Sequence, residues 1–305
     1  MQKNKIKIAL TYGDEAGIGL EVLNFILQNN LFPFKDNFEI YLFGDSSLIK
    51  EIGQLNLIQV NLDTKSEHSF ECLKLATETC LEANFAGLIT GPINKAKWAK
   101  SGHKFKGQTE FLAFKCQTAA EMLFMADNWL ILLLTRHIAL KQVPESLNYE
   151  RFEQSIKTLK DFLQKYLKIK NPKIALAGLN PHGGENGEIG DEEKLYWNNW
   201  AKDLNIAGPF SPDYIWTSSA KAYLQKQKPE YDTYLAPYHD QVLPLIKTIT
   251  NFLAVNISIG LPFLRTSPDH GTAYDIVGQN KADHKPFLQA IKTCLDLCSQ
   301  VIDLK

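Results

Sequence analysis

Short apolar runs rich in β-branched and large residues alternate along this chain with longer segments of helical period, the pattern of a mostly parallel sheet covered by helices. The runs predict strands over Ile6 to Thr11, Ile40 to Phe43, Phe85 to Ile89, Leu130 to Leu134, Lys173 to Ala177, Thr233 to Ala236 and Val255 to Ser258. Between them the spacing predicts helices, among them Glu67 to Ala83, Tyr149 to Leu167, Glu192 to Leu204 and Pro286 to Ile302. In the last helix Phe287, Leu288, Ile291, Leu295, Cys298 and Ile302 make one apolar stripe, which should pack on a sheet and belong to the core. No repeat, low-complexity tract or Gly/Ser linker marks a domain boundary. Leu62 to His68 joins a strand to a helix in few residues and reads as a plain connection without a lid.

Three of the seven histidines share one setting. His137 follows the run Trp129 to Leu134, His182 follows Ile174 to Ala177, and His239 follows Thr233 to Ala236, so each sits just past the end of an apolar strand. Ligands of open α/β sheets bind beyond the carboxyl ends of the strands, so three imidazoles delivered there can meet on one divalent ion. Three neutral nitrogens suit zinc or a similar ion and leave positions for substrate oxygens. Ordinary loop histidines would look the same one at a time. His68, His103 and His284 lie in polar, helix-flanking sequence and read as structural.

The loops around the three histidines, Asn180 to Gly187 and Tyr238 to Gln241, are dense in glycine and polar groups, which lets backbone approach a ligand. Asn180 and Asp240 are candidates to orient ligating rings, or simply turn formers. Gly13 to Gly19, after the first strand, has neither the dinucleotide nor the Walker glycine spacing and is a weak signal alone. A helix opening at Thr109 would offer free backbone N–H groups to an anion, or merely be capped. Lys247, Asn256 and Arg265 bring cationic and amide donors to the later strands, as anchoring a phosphate or carboxylate demands.

Charge and composition remove several classes. The 33 Lys plus Arg against 34 Asp plus Glu give no positive field for nucleic acid or an anionic membrane. The charged start, with Asp14 and Glu15 breaking the first apolar run, is unlike a signal peptide, and no run approaches a membrane span, so a cytoplasmic protein is expected. The five cysteines, Cys72, Cys80, Cys116, Cys294 and Cys298, include no C-x-x-C pair and read as structural thiols. The length of 305 residues accommodates two α/β domains.

Taken together, the motifs GDEAGIG, ITGPINK, GQTEF, TRHIAL, GLNPHGGENG, GPFSPD, YHDQVLPLIK and VNISIGLPFLRTSPDHGTAYDIVG resemble, in order and spacing over nearly the whole chain, those of the 4-hydroxythreonine-4-phosphate dehydrogenase family. The stretch His270 to Gly278 is also similar to a segment that lies against the dinucleotide in the wider family of decarboxylating hydroxyacid dehydrogenases.

The resemblance implies two α/β domains with a cleft between them, of isocitrate/isopropylmalate dehydrogenase-like architecture. Residues 1–100 plus 255–305 would form the nucleotide side, and 101–254 the metal, substrate and dimerisation side. It implies a homodimer with each active site shared between subunits, NAD or NADP as cofactor, and one divalent metal (zinc, magnesium or cobalt) per site. His137, His182 and His239 would hold the metal, and Gln108, Thr109, Lys247, Asn256 and Arg265 the substrate. Asp213 and Lys247 would be the catalytic pair, and His270, Gly271, Thr272, Ala273 and Asp275 would contact the dinucleotide. The implied reaction oxidises 4-phosphooxy-L-threonine to 2-amino-3-oxo-4-phosphooxybutanoate, which decarboxylates to 3-amino-2-oxopropyl phosphate in vitamin B6 synthesis. The chain departs from the family pattern at Tyr12 and Glu15, where prolines are expected, at Asn251 to Ala254, where a glycine-rich turn is expected, and near Asp63, where an insertion is expected. Gln108 stands where the family has histidine and cannot carry its positive charge. That substitution keeps open a relative acting on another phosphorylated hydroxy acid, such as a phosphothreonate or phosphoerythronate. A metal-binding homologue without catalysis and a phosphate acyltransferase on a related architecture are the readings from other classes.

Overall fold

In the computed structural model the described residues are 5–60 and 67–302, so the connection expected after Leu62 and the missing insertion near Asp63 lie outside them. The chain folds as two α/β units, residues up to Ala120 together with those from Val255 onward, and Glu121–Ala254. The break after Ala120 differs from the expected one after Lys100. The helix Gln108–Cys116 buries Phe111 and Leu112 with Phe70, Leu73, Trp98 and Phe263, which ties residues 101–120 to the first unit.

Strands β1 (Ile6–Thr11), β2 (Phe38–Gly44), β3 (Asn56–Gln59) and β4 (Gly87–Thr90) belong to the first unit. β5 (Glu121–Ala126), β6 (Trp129–Leu133), β7 (Ile174–Ala177), β8 (Ala207–Phe210) and β9 (Thr233–Ala236) belong to the second, and β10 (Val255–Ile259) and β11 (Leu264–Pro268) return to the first. The first unit orders its strands β3-β2-β1-β4-β11-β10, all parallel except the pair β10/β11, in which Ser258 faces Arg265. The second orders them β5-β6-β9-β7-β8, parallel except the hairpin β5/β6. Two antiparallel pairs thus stand in an otherwise parallel arrangement, in keeping with the mostly parallel reading. Each joins neighbouring strands by a connection too short for a crossover helix.

The second unit's core packs Ile131, Leu133, Ala175 and Tyr234 of the sheet against Ile215, Trp216, Leu243 and Ile246 of the flanking helices. Arg151, near the start of the helix Tyr149–Leu167, makes a bidentate pair with the fully buried Glu121 and also donates to Leu134 O at 3.0 and 2.8 Å. This pairing explains why a glutamate begins β5. Its loss would leave a buried carboxylate unmatched at a cost of about 3–5 kcal/mol. The segment expected as one helix from Glu192 starts with a π-helical turn, Glu193–Trp197, before the α-helix Asn198–Asp203. Glu193, 2% exposed, accepts there from the backbone N–H groups of Leu179 and Asn180 and fixes the loop after β7. The cysteines are unbridged, four of them buried and Cys116 half-buried.

Among the described residues no helix is long and apolar enough to cross a membrane.

Candidate active site

β6, β9 and β7 run parallel as neighbours, so the three loops beyond their carboxyl ends share one edge of the second unit. Those loops carry His137, His239 and His182. The rings of His137 and His239 lie 5.6 Å apart between centroids, tilted by 46°. His239 Nδ1 is 2.6 Å from Asp240 Oδ1, which orients the ring and directs Nε2 away from the carboxylate, the arrangement found in ligating imidazoles. His182 Nδ1 lies 3.9 Å from Asp213 Oδ2. Residues His182 to Asn186 all have left-handed backbone, with φ of 55, 69, 81, 44 and 57°. Such a run strains its non-glycine members, as is common where a loop is built for a site. Asn180 is not used on a histidine. Its amide donates to Glu192 and Glu193 at 2.7 and 2.8 Å and so belongs to the support of the loop.

Three imidazoles on one edge, one already oriented by a carboxylate, make a donor set that fits a divalent ion. Their ligand atoms are not all within 4.8 Å of one another; among the described residues that holds for Asp14, Glu15 and Glu67.

Asp213 stands in the first turn of the helix Pro212–Leu224, mostly exposed, and accepts a hydrogen bond from Ser211 Oγ. That bond, more than the nearby His182, holds its carboxyl below the usual range, so it is ionised at neutral pH. Lys247 lies half-buried on the helix Leu243–Thr250 of the same unit.

Arg265 lies in the first unit, on β11, 3% exposed. Its Nε and Nη2 donate to Thr90 Oγ1 at 3.1 and 2.7 Å, and Nη1 donates to Ser258 Oγ at 3.2 Å. Burial pulls this guanidinium down to about 10, against the opposing pull of the Glu110 carboxylate. Thr109 Oγ1 is 3.3 Å from the same Ser258 hydroxyl. The helix Gln108–Cys116 has Gly107 as its N-cap and no side-chain cap there, with Glu110 in its first turn. Gln108 Nε2 donates to Gly91 O at 2.9 Å, and its Oε1, like Asn256 Oδ1, is buried with no hydrogen-bond partner. Arg265, Thr109 and Gln108 thus gather round Ser258, Thr90 and Gly91. Sequence reasoning missed Thr90 and Ser258, which carry no signal until β4, β11 and β10 are aligned.

The segment His270 to Asp275 docks on the loop after β1. Thr272 O accepts from Ile18 N at 3.0 Å, Gly17 abuts Thr272, and Tyr274 OH donates to Asp14. His270 Nδ1 is 3.0 Å from Gly271 O, Ala273 takes a left-handed φ of 43°, and Gln279 Nε2 reaches Asp275 O at 2.6 Å. A Cβ on Gly271 would meet nothing within 4 Å, so the segment is open there to a ligand. Gly13 and Gly91 serve close backbone approach, since a Cβ on either would lie 2.1 or 2.0 Å from a carbonyl of the neighbouring loop.

Of the histidines read as structural, His103 stacks on Phe70 at 3.5 Å, and His284 lies against Phe25 with centroids 4.8 Å apart and rings tilted by 33°. His68 differs from the polar, flanking position expected. It is 2% exposed, and neither ring nitrogen has a hydrogen-bond partner.

Residues 35–294 match the family model of the pyridoxal phosphate biosynthetic protein PdxA. A 4-hydroxythreonine-4-phosphate dehydrogenase of Thermosynechococcus vestitus is 37% identical over 326 aligned residues, covering 94% of this chain and 95% of the relative. The crystal structure of a 4-hydroxythreonine-4-phosphate dehydrogenase from Klebsiella pneumoniae superposes with a TM-score of 0.80 at 29% identity, covering 98% of this chain and 99% of that one. A β-decarboxylating dehydrogenase of Thermococcus kodakarensis, 13% identical, shares the fold with a TM-score of 0.55 over 96% of this chain and 84% of its own. On its sequence, its architecture and the placement of its motifs, the chain belongs to the PdxA family.

Proposed function

We propose that this chain is a 4-hydroxythreonine-4-phosphate dehydrogenase that oxidises 4-phosphooxy-L-threonine at C3, with NAD or NADP as hydride acceptor, in pyridoxal phosphate synthesis. The observation that carries this reading is Arg265, a buried guanidinium hydrogen-bonded only to neutral groups. A cation so placed gains most from an anion, and a phosphate accepts its donors together with the first-turn N–H groups of the helix at Gln108. Thr109 and Asn256 complete that anchor.

His137, His182 and His239 would hold a divalent ion, zinc, magnesium or cobalt. Bound there, the ion supplies Lewis acidity toward the substrate hydroxyl and the ketone formed from it. Asp213, an exposed carboxylate hydrogen-bonded by Ser211, is suited to take the hydroxyl proton, and Lys247 is the other candidate. His270, Gly271, Thr272, Ala273 and Asp275 would line the dinucleotide. The β-keto acid, 2-amino-3-oxo-4-phosphooxybutanoate, then loses its carboxylate to give 3-amino-2-oxopropyl phosphate. Assembly as a homodimer with shared active sites, and work in the cytoplasm, go with this reading.

A second reading rests on Gln108. Its orphaned Oε1, and Asn256 Oδ1, are acceptors that favour a ligand rich in donors, such as the hydroxyls of a phosphorylated sugar acid. Parallel assays with 4-phosphooxy-L-threonine, phosphothreonate and phosphoerythronate decide between them. Turnover of the first supports vitamin B6 synthesis, and turnover confined to the sugar acids supports the second reading.

A further inference from the structure

Apart from the three histidines, the first unit holds a second group of ligating atoms. Asp14 and Glu15 follow β1, and Glu67 caps the helix His68–Glu82. One ligand atom from each lies within 4.8 Å of the other two. The oxygens of Asp14 are taken, Oδ1 by Ala16 N at 2.9 Å and Lys97 Nζ at 2.7 Å, Oδ2 by Tyr274 OH. Glu67 Oε2 accepts from Phe70 N at 3.0 Å and Ser69 Oγ at 2.6 Å. What remain are Glu67 Oε1 and Glu15 Oε2, both buried atoms without a hydrogen-bond partner. His68 supplies the independent observation. It is 2% exposed, neither of its nitrogens makes a hydrogen bond, and Nδ1 points at Glu15 Oε2 from 3.8 Å.

Two carboxylate oxygens and an imidazole nitrogen buried without partners are costly, because each forfeits its hydration and gains nothing in return. Lys97 pairs directly with Asp14 at 2.7 Å and acts on Glu15 only through its charge. Ligand atoms at about 2.1 Å from one ion stand at most about 4.2 Å apart. The His68–Glu15 separation already meets that limit. Glu15 and Glu67 each offer an oxygen within 4.8 Å of the other and need to close by little more than half an ångström; His68 stands outside that three-way grouping, so its ring must turn toward Glu67 for all three to meet on one ion.

We propose that Glu15, Glu67 and His68 form a second divalent-cation site, of a type suited to zinc, that ties the loop after β1 to the start of the helix His68–Glu82. Its role is structural. Because Glu15 stands where the family pattern leads one to expect proline, the site belongs to this chain and not to the family at large. It does not depend on the three-histidine reading.

The test is zinc stoichiometry by native mass spectrometry of the whole chain, stripped with chelator and reloaded, for the unmodified protein, Glu15→Gln, His68→Gln and His182→Ala. Glu15→Gln is near-isosteric at a partly exposed position and should keep the melting temperature of the stripped protein, so it carries the result if His68→Gln folds poorly. The expected outcome is that Glu15→Gln binds one zinc fewer per chain than the unmodified protein and loses a zinc-induced rise in melting temperature that His182→Ala retains. An unchanged zinc count in Glu15→Gln overturns the proposal. If His182→Ala leaves the count unchanged while Glu15→Gln lowers it, the second site stands and the three-histidine site falls.

Discussion

Arg265 donates twice to Thr90 Oγ1, through Nε at 3.1 Å and Nη2 at 2.7 Å, although the two residues are 175 positions apart in the chain. The pairing of β11 with β4 sets Arg265 beside Leu88 and so brings its fork to Thr90. The hydroxyl orients the guanidinium without neutralising it, which suits the proposed phosphate anchor. Thr90→Val should therefore raise KM for the phosphorylated substrate roughly tenfold. Arg265→Lys, which keeps the charge but loses the planar fork, should raise it about 10- to 100-fold. Steady-state kinetics checks both, and equal KM values for Arg265→Lys and the parent would remove Arg265 from the anchor.

Asp240 fixes the ring of His239 through the contact at 2.6 Å. Asp240→Asn keeps the shape and removes the charge, so metal affinity should fall about 10- to 100-fold with little change in melting temperature of the metal-free protein. Chelator competition measures this directly.

The carboxyl of Asp213 is held low, first by Ser211 Oγ. A base must be ionised to work, so a lowered pKa keeps it available to lower pH. Removing the hydroxyl in Ser211→Ala raises that pKa toward the usual range and should move the acid limb of kcat/KM to higher pH. An acid limb that stays put in Ser211→Ala and disappears in a Lys247 variant would transfer the role to Lys247.

Gly13 has φ of +85°, and a Cβ there would lie 2.1 Å from Pro92 O. Gly13→Ala should cost roughly 1–3 kcal/mol by overpacking, seen as a lower melting temperature. Because the same loop supports Thr272, dinucleotide affinity should weaken in parallel.

What could be read in advance follows from how local each signal is. β1, β9 and the helix Tyr149–Leu167 match their apolar runs to the residue, because a continuous buried strand or a full amphipathic stripe is written in neighbouring positions. β5 was missed since Glu121, Met122, Leu123 and Met125 favour helix; pairing with β6 and the Arg151 contact override that preference. β11 is absent from the strands that the apolar runs predict because Arg265, Thr266 and Ser267 are polar, yet all five of its residues are buried. β8 is four residues with a glycine and a proline, and β3 is largely exposed, so neither shows a clear alternation. At the site, the strand-end histidines were legible because parallel strands present their carboxyl ends together. Thr90, Ser258 and the burial of His68 were not, since each depends on contacts far apart in sequence.

The central claim is tested most directly by following NADH or NADPH and carbon dioxide together as the metal-loaded protein acts on 4-phosphooxy-L-threonine. The account predicts equal amounts of both, abolished by chelator and restored by a divalent ion, with His182→Ala at least a hundredfold slower. Reduced dinucleotide without carbon dioxide, or turnover indifferent to chelator and to His182→Ala, would contradict it.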